Sequence, residues 1–296
     1  MVSEAVRSGH APQPALQDLP EQDPDPGFIP EGWVPPPAVR RLAVGDVVDA
    51  LQRGVHDFLA SWPYGLFFAA VYVIGGLGLV GAFLWSGTYQ LIFPSIAGFL
   101  LIGPATAVGL YEISRRLEAG EPLEWRAVLT SFRRHGGTQL LLFGVVLIFM
   151  MIVWMRTAGW VYALTFPTAP ESLGAFADKV LSPAAANLWL WGNLFGAVLA
   201  ATVFTISVTA VPHLLDRDVD FMTALTTSVR AVARNPLPMG VFALLIGVLV
   251  GGSVATAFLG FFVTLPVIGH ATWHLYRRTV VHADAGAQPA GAAAPA

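Results

Sequence analysis

Two histidines one helical turn apart, His270 and His274, are the side chains whose type and spacing could do chemistry in this sequence. At an interval of four residues both imidazoles project from one face of a helix. The segment that carries them ends in Arg277-Arg278, a pair that marks a membrane interface. At a rise of 1.5 Å per residue, His270 should lie about 10 Å below that interface. Glu112 occupies the position of His274 in a matching segment that ends in Arg115-Arg116, and His213 with Asp216 closes a further apolar run at the same level. Imidazoles and carboxylates together form a metal-ligand set, and histidine also ligates haem. The candidate metal or haem residues are therefore His270, His274, His213 and Glu112, and ionisable groups inside a membrane are functional candidates by default. The plainer reading, which is favoured, is that histidines near span ends hydrogen-bond a neighbouring helix or a lipid headgroup.

Pro104 and Pro266 each stand eleven residues before an arginine pair, inside apolar runs. Proline removes a backbone donor and frees the carbonyl four residues earlier, so both are expected to kink their helices. Kinked or broken helices line substrate paths in transporters, and they are also common in plain membrane bundles. Arg156 is the one arginine inside a predicted span, and it is expected to snorkel to the outer headgroups beside Trp154 and Trp160. The run Asp216-Arg217-Asp218-Val219-Asp220 reads as a helix cap. Gly76, Gly78 and Gly81 have the spacing of a dinucleotide fingerprint but lack the preceding strand and the later acidic partner. They read as close helix approaches, as do the pairs Gly192/Gly196 and Gly247/Gly251.

The elements that hold these residues follow from composition. Of 296 residues 55% are hydrophobic and only 12% charged, about half the charge of a soluble domain, so lipid must be part of the solvent. The net charge of −3 favours no nucleic-acid partner. The absence of cysteine excludes disulfides, thiolate metal sites and a cysteine nucleophile. No nucleophile with a base partner, phosphate loop or zinc-protease motif is visible, so no enzyme is expected.

Apolar runs of about 20 residues suffice to cross the hydrocarbon as helices. They extend from Tyr64 to Leu84, Tyr89 to Tyr111, Gln139 to about Tyr162 and Asn187 to Val211, and the stretch from Leu237 to Tyr276 divides into two near Gly251-Gly252-Ser253. The fold class is thus all-α, a polytopic bundle of about six spans. Fourteen arginines fall in the segments on one side, against Lys179 alone on the other. Positive residues stay in the cytoplasm, so both termini are expected there, in a bacterial inner membrane. Residues 1–38, Pro-rich and acidic, and residues 280–296, rich in Ala, Gly and Pro, read as disordered tails around a membrane domain at 39–279.

Each pair of spans follows an amphipathic segment. The first carries Val44, Val47, Val48, Leu51, Val55, Phe58 and Leu59 on one helical face, the second Trp125, Val128, Leu129 and Phe132, the third Met222, Leu225, Val229 and Val232. Superposed without gaps, Ala50, Ala127 and Ala224 coincide. The unit is an interfacial helix followed by a transmembrane hairpin, used three times, with the helices lying either in the headgroup plane or on the end of the bundle. In the outer loop Thr168-Ala-Pro-Glu171 has the form of a capping box.

The runs Gly109-Leu-Tyr-Glu-Ile-Ser-Arg-Arg-Leu117, Leu214-Leu-Asp-Arg-Asp-Val-Asp-Phe221 and Gly269-His-Ala-Thr-Trp-His-Leu-Tyr-Arg-Arg278, with Tyr64-Gly-Leu-Phe-Phe68, are distinctive. They resemble a proteobacterial family of predicted integral membrane proteins catalogued as domain of unknown function two-one-eight-nine, from about Val39 to Thr279. The resemblance implies an inner-membrane location and brings no activity, cofactor or catalytic residue. Function is therefore expected to be non-catalytic, a scaffold, assembly or envelope role in the lipid bilayer. The alternatives are a small-solute permease or channel, and a haem- or metal-handling protein.

Overall fold

A computed structural model describes residues 37–133 and 137–281. Nearly all of the two expected tails, at 1–36 and 282–296, lies outside the described residues. Among the described residues the regular structure is helical apart from one short pairing, β1 (Ala38–Val39) antiparallel to β2 (Val280–Val281). Its helices are α1 (Val44–Ala60), α2 (Trp62–Trp85), α3 (Ile92–Leu101), α4 (Gly103–Thr106), α5 (Val108–Ala119), α6 (Trp125–Leu129), α7 (Gly137–Thr165), α8 (Leu173–Leu181), α9 (Ala186–Ser207), α10 (Ala210–Asp216), α11 (Phe221–Arg234), α12 (Pro236–Ala255) and α13 (Phe261–Thr279).

Among the described residues four helical segments are long and apolar enough to cross a membrane: Trp62–Trp85, Gly137–Thr165, Pro183–Asp216 and Pro236–Ala255. Between 17% and 33% of each is buried inside the protein, so most of every span faces outward, and only lipid suits that surface. The expected second span is not one kinked helix. It is divided into α3, α4 and α5 at Ile102 and Ala107, with Pro104 in the first turn of α4. Proline cannot accept the helical hydrogen-bond pattern from behind, and Gly103 beside it gives the chain freedom to turn. Pro266, by contrast, sits inside α13, which continues on both sides of it.

The turn between α12 and α13 comes later than Gly251-Gly252-Ser253, which remain helical. It spans Thr256 to Gly260, with Ala257 and Phe258 in the left-handed region at φ 52° and 69°. The position is set by Ser253: its Oγ lies 2.7 Å from Thr264 Oγ1, and a Cβ at Gly260 would come 2.8 Å from Ser253 Cα. Gly260 therefore closes the hairpin where a larger residue could not.

Helix α13 is the hub, packing against α1, α2, α5 and α12, most extensively against α1. The amphipathic helices dock through their small residues. In α1 the buried stripe is Val47, Ala50, Gly54 and Asp57, while Val44, Val48, Val55 and Leu59 stay exposed. In α11 the buried residues are Ala224, Thr227, Ser228 and Ala231, with Met222 and Val229 outward. The exposed apolar residues of these helices thus face away from the bundle and a stripe of mostly small ones faces it, because small residues let helix axes approach closely. Two local expectations change. Helix α8 is capped by Ser172, which accepts from the Ala175 amide, and not by Thr168. Gly78, Gly81, Gly192, Gly247 and Gly251 have nothing within 4 Å of an added Cβ, so they make no close helix approach here, whereas Gly76 meets Phe258 and Gly196 meets Trp154.

Candidate functional site at the arginine-rich end

Two glycines bring three helices together. A Cβ on Gly54 of α1 would stand 2.8 Å from both the Ala271 nitrogen and the Val267 oxygen of α13. A Cβ on Gly269 of α13 would stand 2.6 Å from Leu110 Cδ1 of α5. Without side chains at these points α1 and α5 close onto α13, and Asp57, Ser114, His270 and His274 meet between them.

All four are buried. His274 Nε2 lies 2.7 Å from Asp57 Oδ2, Ser114 Oγ donates to the same oxygen at 2.8 Å, and Ser114 Oγ lies 2.8 Å from His270 Nδ1. One proton arrangement satisfies every contact. His274 donates through Nε2 to the carboxylate, Ser114 gives its single hydroxyl hydrogen to the carboxylate, and His270 donates through Nδ1 toward Ser114. The Leu110 carbonyl also accepts from the His270 ring, which requires an N–H there. His270 Nε2 is left as a buried acceptor with no protein partner. Burial acts to raise the Asp57 carboxyl, but the hydrogen bonds from His274 and Ser114 outweigh it and hold the group below its ordinary value of 3.8.

A cleft of about 230 Å³ opens over the Asp57–His274 pair, walled by Arg53, His56, Leu117 and Glu118. The exposed His56 places Nδ1 3.6 Å from Asp57 Oδ1. The contacts run inward from this cleft along His274, Asp57, Ser114 and His270, with the Asp57 carboxylate accepting from both His274 and Ser114. The arrangement does not have the order of a hydrolase triad, in which the imidazole stands between acid and nucleophile. Here the serine stands in the middle.

The other sequence candidates are held apart from this cluster. Glu112 is fully buried and clamped by Arg115 (Nε to Oε2, 2.9 Å) and Arg116 (Nε to Oε1, 2.8 Å). His213 of α10 is fully buried beside Tyr276, ring centroids 5.7 Å apart. Tyr276 donates to Asp216 at 2.8 Å, and Trp273 Nε1 donates to Glu118 at 3.0 Å. Among the described residues no group of three or more His, Asp or Glu side chains is arranged to hold a metal ion. The sequence placed His270 and His274 on one helix face, and both reach this cluster, but Asp57 and Ser114 were missed. The signal for Asp57 was present: Ala50, Gly54, Asp57 and Ser61 form a small and polar stripe at spacings of four, three and four.

No curated protein and no solved structure matches this chain. A family match is found over a narrower range than the resemblance suggested, covering α3 to α10 and so including Glu112, Ser114 and His213 but not Asp57, His270 or His274. Over residues 92–216 the chain is similar to the family described as Predicted integral membrane protein (DUF2189).

Proposed function

We propose that this integral membrane protein is a non-catalytic scaffold of the bacterial inner membrane, crossing it six times with both chain ends cytoplasmic. The observation that supports this most is the bracing of the arginine-rich end. Ala38 pairs with Val281, so the segments that leave the described body at either end start side by side. Asn235 accepts from the Leu42 amide at 2.7 Å and donates to the Arg40 carbonyl at 3.0 Å. Arg278 reaches Asp46 at 2.7 Å and Asp49 at 3.1 Å. Asp57 ties α1 to α13 and α5. Bonds between segments so far apart in sequence brace this end of the described body, which is what a scaffold needs.

Six crossings would take α2, the divided segment α3–α5, α7, α9–α10, α12 and α13. The arginine pair in the last turn of α13 supports the sixth, since Arg278 meets Asp46 and Arg277 meets Glu118, both acids of arginine-rich segments. Of the three equivalent positions, Ala50 and Ala224 are fully buried and Ala127 is half-buried. The test uses the absence of native cysteine. Single cysteines at Ser86, Asp178 and Leu259 should react with a membrane-impermeant maleimide from the periplasm, and those at Gly120 and Asp218 only after lysis. A protected Leu259 site, or an accessible Gly120 site, would overturn the six-span topology.

The irregular backbone around Pro104 favours a second reading, a permease. Proteoliposomes loaded with a pH-sensitive dye separate the two, because proton flux above that of protein-free vesicles would displace the scaffold. An absorbance spectrum and metal analysis of the purified protein decide the haem or metal reading of His270, His274, His213 and Glu112.

A further inference from the structure

Three rows of side chains divide the surface of α1. The buried stripe of Val47, Ala50, Gly54 and Asp57 faces the bundle. Val44, Val48, Val55 and Leu59 form an apolar row, each residue between 39% and 66% exposed. Asp49, Arg53 and His56 form a polar row, also exposed. At about 100° per residue the three rows stand about a third of a turn apart. A helix set between bundle and water needs two faces, an apolar one that is buried and a polar one. The exposed apolar row suits a helix that borders hydrocarbon as well, as it does at a membrane surface. Helix α11 repeats the pattern, with Met222 and Val229 outward and Arg230 and Arg234 exposed beside them. One buried residue, Ser61, separates α1 from α2, and one, Asn235, separates α11 from α12. Both of the helices that follow are apolar enough to cross a membrane, so α1 and α11 each end at the mouth of a span.

Charge decides which lipid fits. At this end Asp46 and Asp49 are bound by Arg278, Glu118 by Arg277 and Glu121 by Arg115. Arg41, Arg53, Arg126, Arg230 and Arg234 are exposed and form no ion pair among the described residues. Against these five cations, Glu124 and Asp218 are the acids of the same segments left without a partner among the described residues. The surplus is positive and lies on the helices that carry the exposed apolar rows. Free guanidinium groups beside an apolar row match a phosphate above acyl chains. We propose that the outward faces of α1 and α11 are a docking surface for anionic phospholipids of the leaflet at the arginine-rich end. Acyl chains lie against the apolar rows, and headgroup phosphates meet the free arginines.

The chain has no native cysteine, so Val48→Cys, Val229→Cys and His56→Cys, each labelled with bimane, report the apolar rows and the polar row separately. The full-length proteins go into phosphatidylcholine vesicles that carry a doxyl nitroxide high on the acyl chain, either of phosphatidylcholine or of phosphatidylglycerol. Labels at Val48 and Val229 should be quenched by the nitroxides and shielded from aqueous iodide, and the label at His56 should show the reverse. At low salt the phosphatidylglycerol nitroxide should quench the Val229 label several-fold better than the phosphatidylcholine one, since each arginine near the surface gives about a fivefold preference. Arg230→Gln/Arg234→Gln should bring the two nitroxides level at Val229 and leave its iodide shielding unchanged. Iodide access at Val48 and Val229 equal to that at His56 overturns the docking surface. Protection from iodide and nitroxide alike overturns it too, because another protein surface would then cover these rows. Equal quenching by the two nitroxide lipids in the protein with both arginines overturns the choice of anionic lipid.

Discussion

Replacing Gly54 with alanine tests the central contact of the molecule. The new methyl would stand 2.8 Å from the Ala271 nitrogen, 2.8 Å from the Val267 oxygen and 3.0 Å from Ala271 Cβ. Two of these are backbone atoms of α13, which cannot rotate aside. Comfortable separations begin near about 3.5 Å, so α1 has to retreat by roughly 0.7 Å, and overpacking of this kind costs about 1–3 kcal/mol. The retreat falls one turn from Asp57, whose bonds to His274 and Ser114 are 2.7 and 2.8 Å long. Stretching them beyond about 3.2 Å forfeits part of the roughly 1.5–3 kcal/mol that a charged hydrogen bond contributes. Alanine returns about 0.5–1 kcal/mol of helix propensity. The net effect is a destabilisation of about 3 kcal/mol. Gly45, in the same helix with nothing within 4 Å of an added Cβ, is the internal control. There the same change should be neutral or stabilise by about 0.5 kcal/mol. Thermal unfolding in one detergent, followed by tryptophan fluorescence, reads both variants. A Gly54→Ala protein as stable as the wild type would refute the docking of α1 on α13.

Two further perturbations probe the same end. Asp57→Asn should destabilise the protein at neutral pH, with a difference from wild type that shrinks as pH falls below 3.8. The Asp57 carboxyl is depressed in the fold, so its contribution is present above the unfolded value and is lost as pH falls through the folded one; a difference that stays constant under acid titration would contradict this. Asn235→Ala removes the acceptor of Leu42 and the donor to Arg40 and should cost about 2–3 kcal/mol. Amide hydrogen exchange should then quicken at Leu42 and along the pairing of Ala38 with Val281. Unchanged exchange would mean that Asn235 does not brace the strand.

Much of the membrane architecture was legible in the residue order because the burial of apolar surface in lipid is a local property. The runs around α2, α7, α9 and α12 each carry enough consecutive apolar residues to span, whatever their neighbours do. The Asp216–Asp220 run was also legible as a cap, since Asp220 accepts from the Thr223 amide at 2.9 Å, a contact within one turn. Thr168 failed in the same role because Ser172 stands nearer the start of α8 and its hydroxyl reached the Ala175 amide first. The division of α3 to α5 was only half legible: Pro104 signals a disturbance, but whether a helix kinks or breaks depends on what the neighbouring helices can satisfy.

The sequence by itself determined an all-helical integral membrane protein, its apolar runs, its charged side and its amphipathic helices, since all of these follow from periodicity and composition over one segment. Tertiary structure alone decided the candidate site. Asp57 is separated from His274 by 217 residues. Which stripe of α1 turns inward depends on the match between Gly54 and the backbone of α13, a steric relation between two surfaces. In lipid, where apolar residues gain little by leaving the solvent for the bundle, such close packing and the polar contacts it permits choose the partners. That choice is carried by pairs of residues and not by any one segment.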